Sequence, residues 1–218
     1  MSTLTVENYV KTIYTLLQQQ SSETAATGEI AAALEVSPGT VTSMLKTLSE
    51  SGLAEYTPYE GVSLTKSGRA LALRVLRRHR LIELFLVKTL DLSWDEVHEE
   101  AENMEHAVSD FLVDQMDKYL GLPDTDPHGD PIPKSDGTVR QNKTISLWEH
   151  SAESEFTLVR VIDQSSDFLR YLSEVHLEIG SQGSIVNRSS EGATMTVQIG
   201  DFSTTLSKQI AEKLRVNA

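Results

Sequence analysis

The sequence predicts a mainly α-helical protein with a small β-rich domain towards its C-terminus. Apolar residues recur at helical spacing up to about residue 119, and short β-prone segments with alternating apolar residues occur only later. Between these parts, residues 121–137 hold four of the 6 prolines and three glycines, which is typical of a linker. We therefore expect three domains, at residues 1–65, 66–140 and 147–218.

The composition excludes several classes of protein. The 218 residues include no cysteine, so disulfides, thiolate metal ligands and cysteine nucleophiles are ruled out. The sequence has no run of about 18 apolar residues, so it predicts no membrane span. The first residues lack the basic and then apolar pattern of a secretory signal. We expect a cytoplasmic protein with no membrane partner.

The acidic charge is unevenly distributed along the chain. The net charge is −13, which by itself argues against nucleic acid as a partner. However, residues 1–90 hold 9 Lys or Arg and 8 Asp or Glu, whereas residues 91–218 hold 10 and 24. The net charges are therefore +1 and −14, and the first part remains able to meet a phosphate backbone.

The first part has the pattern of a winged helix-turn-helix. Residues 5–20 and 27–35 show helical spacing, with Thr27 as the predicted N-cap of the second helix. A third helix ends at Gly52, and two β-prone segments joined through residues 59–61 predict a hairpin, which would be the wing. The alternative is that the second and third helices are simply a packed pair.

Small polar side chains lie on the open face of the third helix. Hydroxyl groups near a helix N-terminus bind phosphate oxygens and touch base edges. Since this face has one lysine and no arginine, we expect modest affinity that requires a dimer. The candidate DNA-binding residues are Thr27, Ser37, Thr40, Thr42, Ser43 and Lys46.

The next two predicted helices, at about 66–90 and 94–119, carry a cluster of metal-ligand side chains. The stretch 91–117 contains ten acidic residues and no Lys or Arg, and like charges at helical spacing repel one another. Solvation is one way to offset this repulsion, and a bound cation is another. The candidates that share one stripe of the second helix, together with an i, i+4 pair on the first, are His98, Glu102, Glu105, His106, His79 and Glu83. Histidine and carboxylate without sulfur suit Mn²⁺, Fe²⁺, Co²⁺ or Zn²⁺.

The last part predicts a small β-rich domain. Strands are expected at 157–162, 178–186 and 194–199, with short helices at 167–172 and 207–216.

Four segments of the chain together resemble the diphtheria-toxin-repressor/manganese-transport-regulator family. They are ENYVKTIY, SPGTVTSMLKTLSESGLAEY, LTKSGRALALRVLRRHRLIELFL and WDEVHEEAENMEHAVSD. The resemblance implies a winged helix-turn-helix, a helical metal-binding and dimerisation domain, and a C-terminal SH3-like (FeoA-like) β-barrel. It also implies a transcriptional repressor of metal-uptake genes that binds palindromic operator DNA as a homodimer when loaded with metal.

The resemblance also implies a primary metal site formed by Asn8, Glu102, Glu105 and His106, with His79 close by. At the position of Asn8, manganese-type members have Asp and iron-type members Met, so this residue departs from both. Position 102 is Cys in iron-type members. The Glu found here favours Mn²⁺, with Fe²⁺ as the second choice and Zn²⁺ or Co²⁺ as substitutes in vitro.

An ancillary site is implied as well. Its candidate ligands are Glu83 and His98 from the helices, Asp126 and His128 from the linker, and Asp163 from the C-terminal domain, where Gln164 is a less favoured alternative.

These residues lead to a hypothesis for activation. Metal would neutralise the carboxylates, link Asn8 to the acidic helix and fix two recognition helices about 34 Å apart, one turn of DNA.

A metal-dependent hydrolase using the same residues is the alternative function, although no HExxH, GxSxG or phosphate-loop motif is present. A metal-buffering protein is a third possibility. We expect no small-molecule substrate and no enzymatic activity.

Overall fold

The computed structural model describes residues 3–20, 22–140, 143–151 and 154–217. The chain divides into two compact units, the first formed by the residues up to Arg78 with Pro133–Thr138, and the second by His79–Ile132 with Val139–Ala218. Within the described residues, no helix combines the length and the apolar character needed to cross a membrane.

The first unit is helical, with one hairpin. Its elements are α1 (Leu4–Gln20), α2 (Thr27–Ala33), α3 (Pro38–Glu50), β1 (Ala54–Thr57), β2 (Gly61–Leu64) and the first part of α4 (Lys66–Leu90). Apolar residues at helical spacing form its core, including the fully buried Ile13, Ile30 and Leu45. Removing each such side chain from water contributes roughly 1.5–3 kcal/mol, which holds the short helices together.

The helix-turn-helix forms as predicted, but the start of its first helix differs. The N-cap of α2 is Ala26 and not Thr27, so the prediction of Thr27 as the N-cap was wrong. The reason is that Glu29, three residues into the helix, accepts a hydrogen bond from the Ala26 backbone N–H at 2.9 Å. This carboxylate serves a backbone donor at the helix start, and a hydroxyl at position 27 is not needed there.

Helix α3 begins with a side-chain cap. The Ser37 hydroxyl accepts a hydrogen bond from the Thr40 backbone N–H at 3.2 Å. Pro38 follows at the first helical position, where its missing N–H costs nothing.

The predicted wing is an antiparallel hairpin. Strands β1 and β2 pair from Ala54↔Leu64 to Thr57↔Gly61. The turn contains Tyr59 at φ 71°, and β2 begins at Gly61, whose φ is 103°. A side chain at Gly61 would approach the Ala25 carbonyl oxygen to 2.8 Å, so both the backbone angle and the space require glycine.

The acidic segment is not one helix, as the sequence predicted, but two. Helix α4 occupies the predicted residues, whereas the next region forms α5 (Val97–Met104) and α6 (Asp110–Tyr119). The break follows from Ser109, whose hydroxyl accepts a hydrogen bond from the Leu112 N–H at 3.2 Å and starts a new helix. Glu105 is the C-cap of α5 and precedes the turn.

The C-terminal part of the second unit is a six-stranded antiparallel sheet in the order β3-β8-β4-β5-β6-β7. Its elements are β3 (Thr144–Ser146), β4 (Glu155–Val161), α7 (Ser166–Glu174), β5 (Gln182–Ser189), β6 (Thr194–Ile199), β7 (Phe202–Ser207), α8 (Lys208–Glu212) and β8 (Leu214–Asn217). Leu158, Leu169 and Val197 lie in its fully buried core, and Trp94 packs against that core from the segment before α5.

The predicted terminal helix was partly wrong. Only Lys208–Glu212 is helical, and β8 follows after the C-cap residue Lys213. Leu214 and Val216 alternate inward with period two and pair with β4, so burial in the sheet outweighs the helical propensity of the segment. The sequence reading also missed strands β3 and β7.

Candidate metal centre and nucleic-acid interface

Three overlapping groups of metal-ligand side chains lie within the second unit. The described residues form the groups His79–Glu83–His98, His79–Glu102–Glu105 and Glu83–Asp126–His128, and the ligand atoms of each group lie within 4.8 Å of one another. The i, i+4 spacing of His79 and Glu83 on α4 places both on one helix face. Helix α4 therefore brings together two of the expected ligands, His79 and Glu83, as its predicted spacing requires.

The first group is centred on one oxygen of Glu83. Its Oε1 lies 2.9 Å from His79 Nε2 and 3.2 Å from His98 Nδ1. Glu83 is 1% exposed, whereas the side chain of His98 is 46% exposed. One side of this group is thus buried and the other opens to solvent.

The second group uses the other nitrogen of His79. Nδ1 lies 2.7 Å from Glu105 Oε2 and 3.6 Å from Glu102 Oε1. His106 adjoins this group, since its Nε2 is 3.2 Å from Glu105 Oε1. Glu105 and His106 follow the last turn of α5, and Glu102 lies on the helix itself.

The third group joins α4 to the linker. Glu83 Oε2 lies 3.7 Å from His128 Nδ1. Both atoms are buried, and neither has a hydrogen-bond partner among the described residues. Two donors bound to one ion at about 2.0–2.2 Å are about 3–4 Å apart, which is the separation seen here. The donor set therefore fits a divalent cation that prefers nitrogen and oxygen ligands.

Asp126 also organises the linker loop. Its Oδ1 accepts backbone hydrogen bonds from His128 at 2.8 Å and Asp130 at 2.9 Å, and its Oδ2 lies 3.5 Å from Arg80 Nε. Asp130 in turn accepts hydrogen bonds from Arg80 and Gln164, and it pairs with Arg160. Asp126 thus shapes the loop as well as belonging to the third group.

The buried groups have shifted proton affinities. Burial alone would raise the pKa of Glu83, but the charge of His79 and contacts with His128 and His98 hold it well below its usual range. Burial, reinforced by Asp130 and Glu83, raises the pKa of Asp126 to about 7. Although burial opposes it, contact with Glu83 and the charge of Asp126 raise the pKa of His128 to about 8. Of these three buried groups, Glu83 is therefore the one held in its anionic form.

Two of the predicted histidine and carboxylate ligands, His106 and Asp163, belong to none of these groups. Asp163 accepts hydrogen bonds from Lys213 Nζ at 2.8 Å and from the Ser165 backbone N–H at 3.0 Å, so it stabilises the start of α7. The alternative, Gln164, donates to Asp130. Asn8 lies in the first unit, where its Oδ1 is buried and has no hydrogen-bond partner among the described residues.

The candidate DNA-binding face lies in the first unit. Ser37, Thr40, Ser43 and Lys46 are exposed, whereas Thr27 and Thr42 are half-buried. Three of the hydroxyls have structural bonds, because Ser37 caps α3 and is bonded to the Thr40 hydroxyl at 2.9 Å, and Thr42 donates to the Pro38 carbonyl oxygen at 2.9 Å. The remaining exposed groups form a polar face at the start of α3.

Three family models match almost the whole chain. Residues 1–62 match the N-terminal DNA-binding domain of iron-dependent repressors, residues 65–134 their metal-binding and dimerisation domain, and residues 145–218 the FeoA domain. The chain belongs to the iron-dependent repressor family. It is therefore a member of a family of metal-dependent transcriptional repressors.

Relatives of this repressor extend over its whole length. The iron-dependent repressor IdeR of Mycobacterium leprae (strain TN) is 30% identical and aligns over 97% of this chain and 96% of its own. A solved manganese-dependent transcriptional repressor in complex with manganese is 36% identical, with 98% and 99% of the two chains covered and a TM-score of 0.89. ScaR with bound Zn²⁺ is 31% identical, with 97% and 98% covered and a TM-score of 0.80. None of these proteins supports the metal-dependent hydrolase considered above.

Sequence reasoning missed two residues around the centre. Arg80 contacts Asp126 and Asp130 of the linker, and the Trp94 carbonyl oxygen accepts a hydrogen bond from His128 Nε2 at 2.7 Å. A backbone carbonyl has no sequence signature. The arginine lies beside His79, but nothing in its spacing indicated a partner fifty residues away.

Proposed function

We propose that this protein is a Mn²⁺-activated repressor that binds palindromic double-stranded operator DNA as a homodimer, acts in the cytoplasm and controls genes of metal uptake. The observation that carries the proposal is the sulfur-free centre, in which His79 and Glu83 are each shared by two groups of ligands. Carboxylate and imidazole donors suit Mn²⁺, and the absence of any cysteine removes the soft ligand that would favour other ions. Fe²⁺ is the second choice, and Zn²⁺ or Co²⁺ would substitute in vitro.

The charges of the centre support metal activation. Glu83 and Glu105 are almost fully buried, and His79 contacts one of them through each ring nitrogen. A bound divalent cation supplies positive charge that offsets these carboxylates and Glu102. Glu102, Glu105 and His106 would hold the ion of the second group, and Asn8 Oδ1 is a proposed additional donor.

The surface of the second unit supports a dimer. Helix α6 and the segment after it expose large apolar side chains, with Phe111 74% exposed and Tyr119 71% exposed. Leu112 and Leu122 add to the exposed apolar area. Such a patch is typical of a protein–protein interface. A twofold dimer would supply two helix-turn-helix motifs, one for each half of a palindromic operator.

The first unit supports DNA binding. The exposed hydroxyls of Thr40 and Ser43 and the ammonium of Lys46 lie along α3, where phosphate and base-edge contacts would form. A single lysine gives a weak contact, so the paired helix-turn-helix motifs of a dimer would be needed for tight binding.

Glu105→Ala tests the proposal. The probe is DNA selected from a random library by the Mn²⁺-loaded protein, and the readout is a gel-shift titration in Mn²⁺ and in chelator. Loss of the buried carboxylate should abolish the response to Mn²⁺, whereas Glu100→Ala, at an exposed position of the same helix, should retain it. Equal operator binding by the unaltered protein in Mn²⁺ and in chelator would sink the proposal.

We infer that the metal centre is regulatory and not catalytic. The buried ligands already contact one another, and the family is one of repressors. Turnover of generic esters or phosphate esters that requires Mn²⁺ and is lost in Glu105→Ala would contradict this inference.

A further inference from the structure

We infer that Trp94 is a positioning residue for the third group of ligands, because it selects the nitrogen that His128 presents to the ion and connects that histidine to the core of the C-terminal sheet. The inference rests on the proposed metal binding and adds a residue that none of the three ligand groups contains. Trp94 lies between α4 and α5, 34 residues before His128.

A hydrogen bond to the Trp94 backbone fixes the protonated nitrogen of His128. His128 Nε2 lies 2.7 Å from the Trp94 carbonyl oxygen. Since a carbonyl oxygen only accepts hydrogen bonds, Nε2 must carry the proton. In the neutral imidazole the lone pair is then on Nδ1, the atom that faces Glu83 Oε2. A ligand histidine commonly has its other nitrogen fixed in this way.

The indole ring of Trp94 also lies against the imidazole ring of His128. The rings of Trp94 and His128 are stacked, with centroids 6.1 Å apart and an interplanar angle of 19°. His128 is fully buried, so its ring has little room to turn. The stack and the hydrogen bond thus fix both the plane and the protonated nitrogen of His128.

Trp94 is itself anchored to the C-terminal part of the unit. Its indole Nε1 donates a hydrogen bond to Ser173 Oγ on α7 at 3.0 Å, and the ring packs against the core of the sheet. The sheet also holds the backbone of His128, whose carbonyl oxygen accepts a hydrogen bond from the Val161 N–H of β4 at 2.9 Å. Side chain and backbone of His128 are therefore both held by the C-terminal part of the unit.

The consequence is that the β-rich domain should contribute to metal affinity without supplying a ligand of the third group. Removal of the indole would release both the stack and the anchor of the carbonyl oxygen. Changing residues that orient a metal ligand typically reduces metal affinity by about 10–100-fold.

The experiment uses the full chain with Co²⁺ as the probe, followed by calorimetry and by tryptophan emission. Trp94→Ala should weaken one class of Co²⁺ site by about 10–100-fold and leave the others unchanged. Trp148→Phe is the matched control, since it alters the only other tryptophan and should not change any Co²⁺ affinity. Trp94→Phe, which keeps a stacked ring and loses the bond to Ser173, should lie between the two.

Emission provides a readout that a merely structural role would not change. In Trp148→Phe the remaining Trp94 should be quenched as the third group fills, and a further His128→Ala change should remove that quenching step. Identical isotherms for folded Trp94→Ala and Trp148→Phe, or quenching that persists without His128, would overturn the inference. If Trp94→Ala does not fold, the Co²⁺ isotherm of Trp94→Phe, which loses the bond to Ser173, is compared with that of Trp148→Phe, and identical isotherms would overturn the inference. Absence of any Co²⁺ binding to the unaltered protein would instead contradict the proposed function.

Discussion

Glu83 contributes one oxygen to each of two ligand groups. Oε1 faces His79 and His98, and Oε2 faces His128. A buried carboxylate surrounded by three imidazoles is stabilised in its charged form, which agrees with its lowered pKa. The same charge would make Glu83 an effective ligand for the proposed cation.

Glu83→Gln should therefore impair two groups at once. The amide keeps the volume but removes the charge and one acceptor oxygen, so affinity at both groups should fall by more than about 100-fold, beyond the effect of losing an orienting contact. The second group, which does not contain Glu83, should keep its affinity. Calorimetric titration with Mn²⁺ measures the number of remaining sites, and Glu99→Gln, at an exposed position of α5, is the control. An unchanged number of sites at unchanged affinity would contradict the shared role.

Asp163 should affect stability and not metal affinity. Burial opposes ionisation, but Lys213 and Ser165 lower the pKa of Asp163 below its usual value. Ionised Asp163 then stabilises the fold above its unfolded-state pKa of about 3.9, and this stabilisation is lost as the pH falls through the lower folded-state pKa. Because the pair is partly exposed, Asp163→Asn should cost about 0.5–1 kcal/mol at pH 7.

Denaturant unfolding at several pH values measures this difference. The free energies of unfolding of the two proteins should converge at acid pH, below the lowered folded-state pKa of Asp163, where both states bind the proton. Lys213→Gln is the matched variant and should show a similar loss. A large drop in Mn²⁺ affinity in Asp163→Asn would instead favour the ligand role predicted from the family resemblance.

Residues on regular helices were the ones that the sequence could place. Spacing alone brought His79 and Glu83 onto one face of α4, and it put Glu102 close to Glu105. The linker residues Asp126 and His128 were reached only through resemblance, because their position depends on a loop closed by backbone hydrogen bonds. The contacts of Asp163 depend on Lys213, fifty residues later, and no local pattern indicates them.

At the scale of elements, the start of α3 has two roles that substitution can separate. Ser37→Ala removes the N-cap and should lower the free energy of unfolding by about 1 kcal/mol. Ser43→Ala, at an exposed site within the helix, should leave stability within about 0.5 kcal/mol but weaken operator binding. Thermal unfolding and a gel shift on both variants distinguish capping from DNA contact. Equal stability of Ser37→Ala and the unaltered protein would refute the capping role.

Elements with one dominant period were predicted well, and elements set by a cap or by the sheet were not. Helix α4 has the expected bounds because 25 residues keep one amphipathic pattern. The predicted helix after it is divided because Ser109 begins α6. The last strand, β8, was missed because only four residues form it and its stability comes from pairing with β3 and β4.

At the scale of the whole molecule, charge and function follow the same division of the sequence. The near-neutral first 90 residues contain the winged helix-turn-helix, and the acidic remainder contains most of the proposed ligands. Metal binding would neutralise part of the acidic charge, which would otherwise repel DNA. We therefore expect a coupling free energy between metal and operator.

The most direct test of metal-dependent repression is the reciprocal measurement of this coupling. The affinity of the unaltered dimer for Mn²⁺ is measured by calorimetry alone and with saturating selected operator. If Mn²⁺ strengthens operator binding, linkage requires that operator strengthens Mn²⁺ binding by the same factor, which for typical coupling is about 5–150-fold. Equal Mn²⁺ affinity with and without operator would contradict the account.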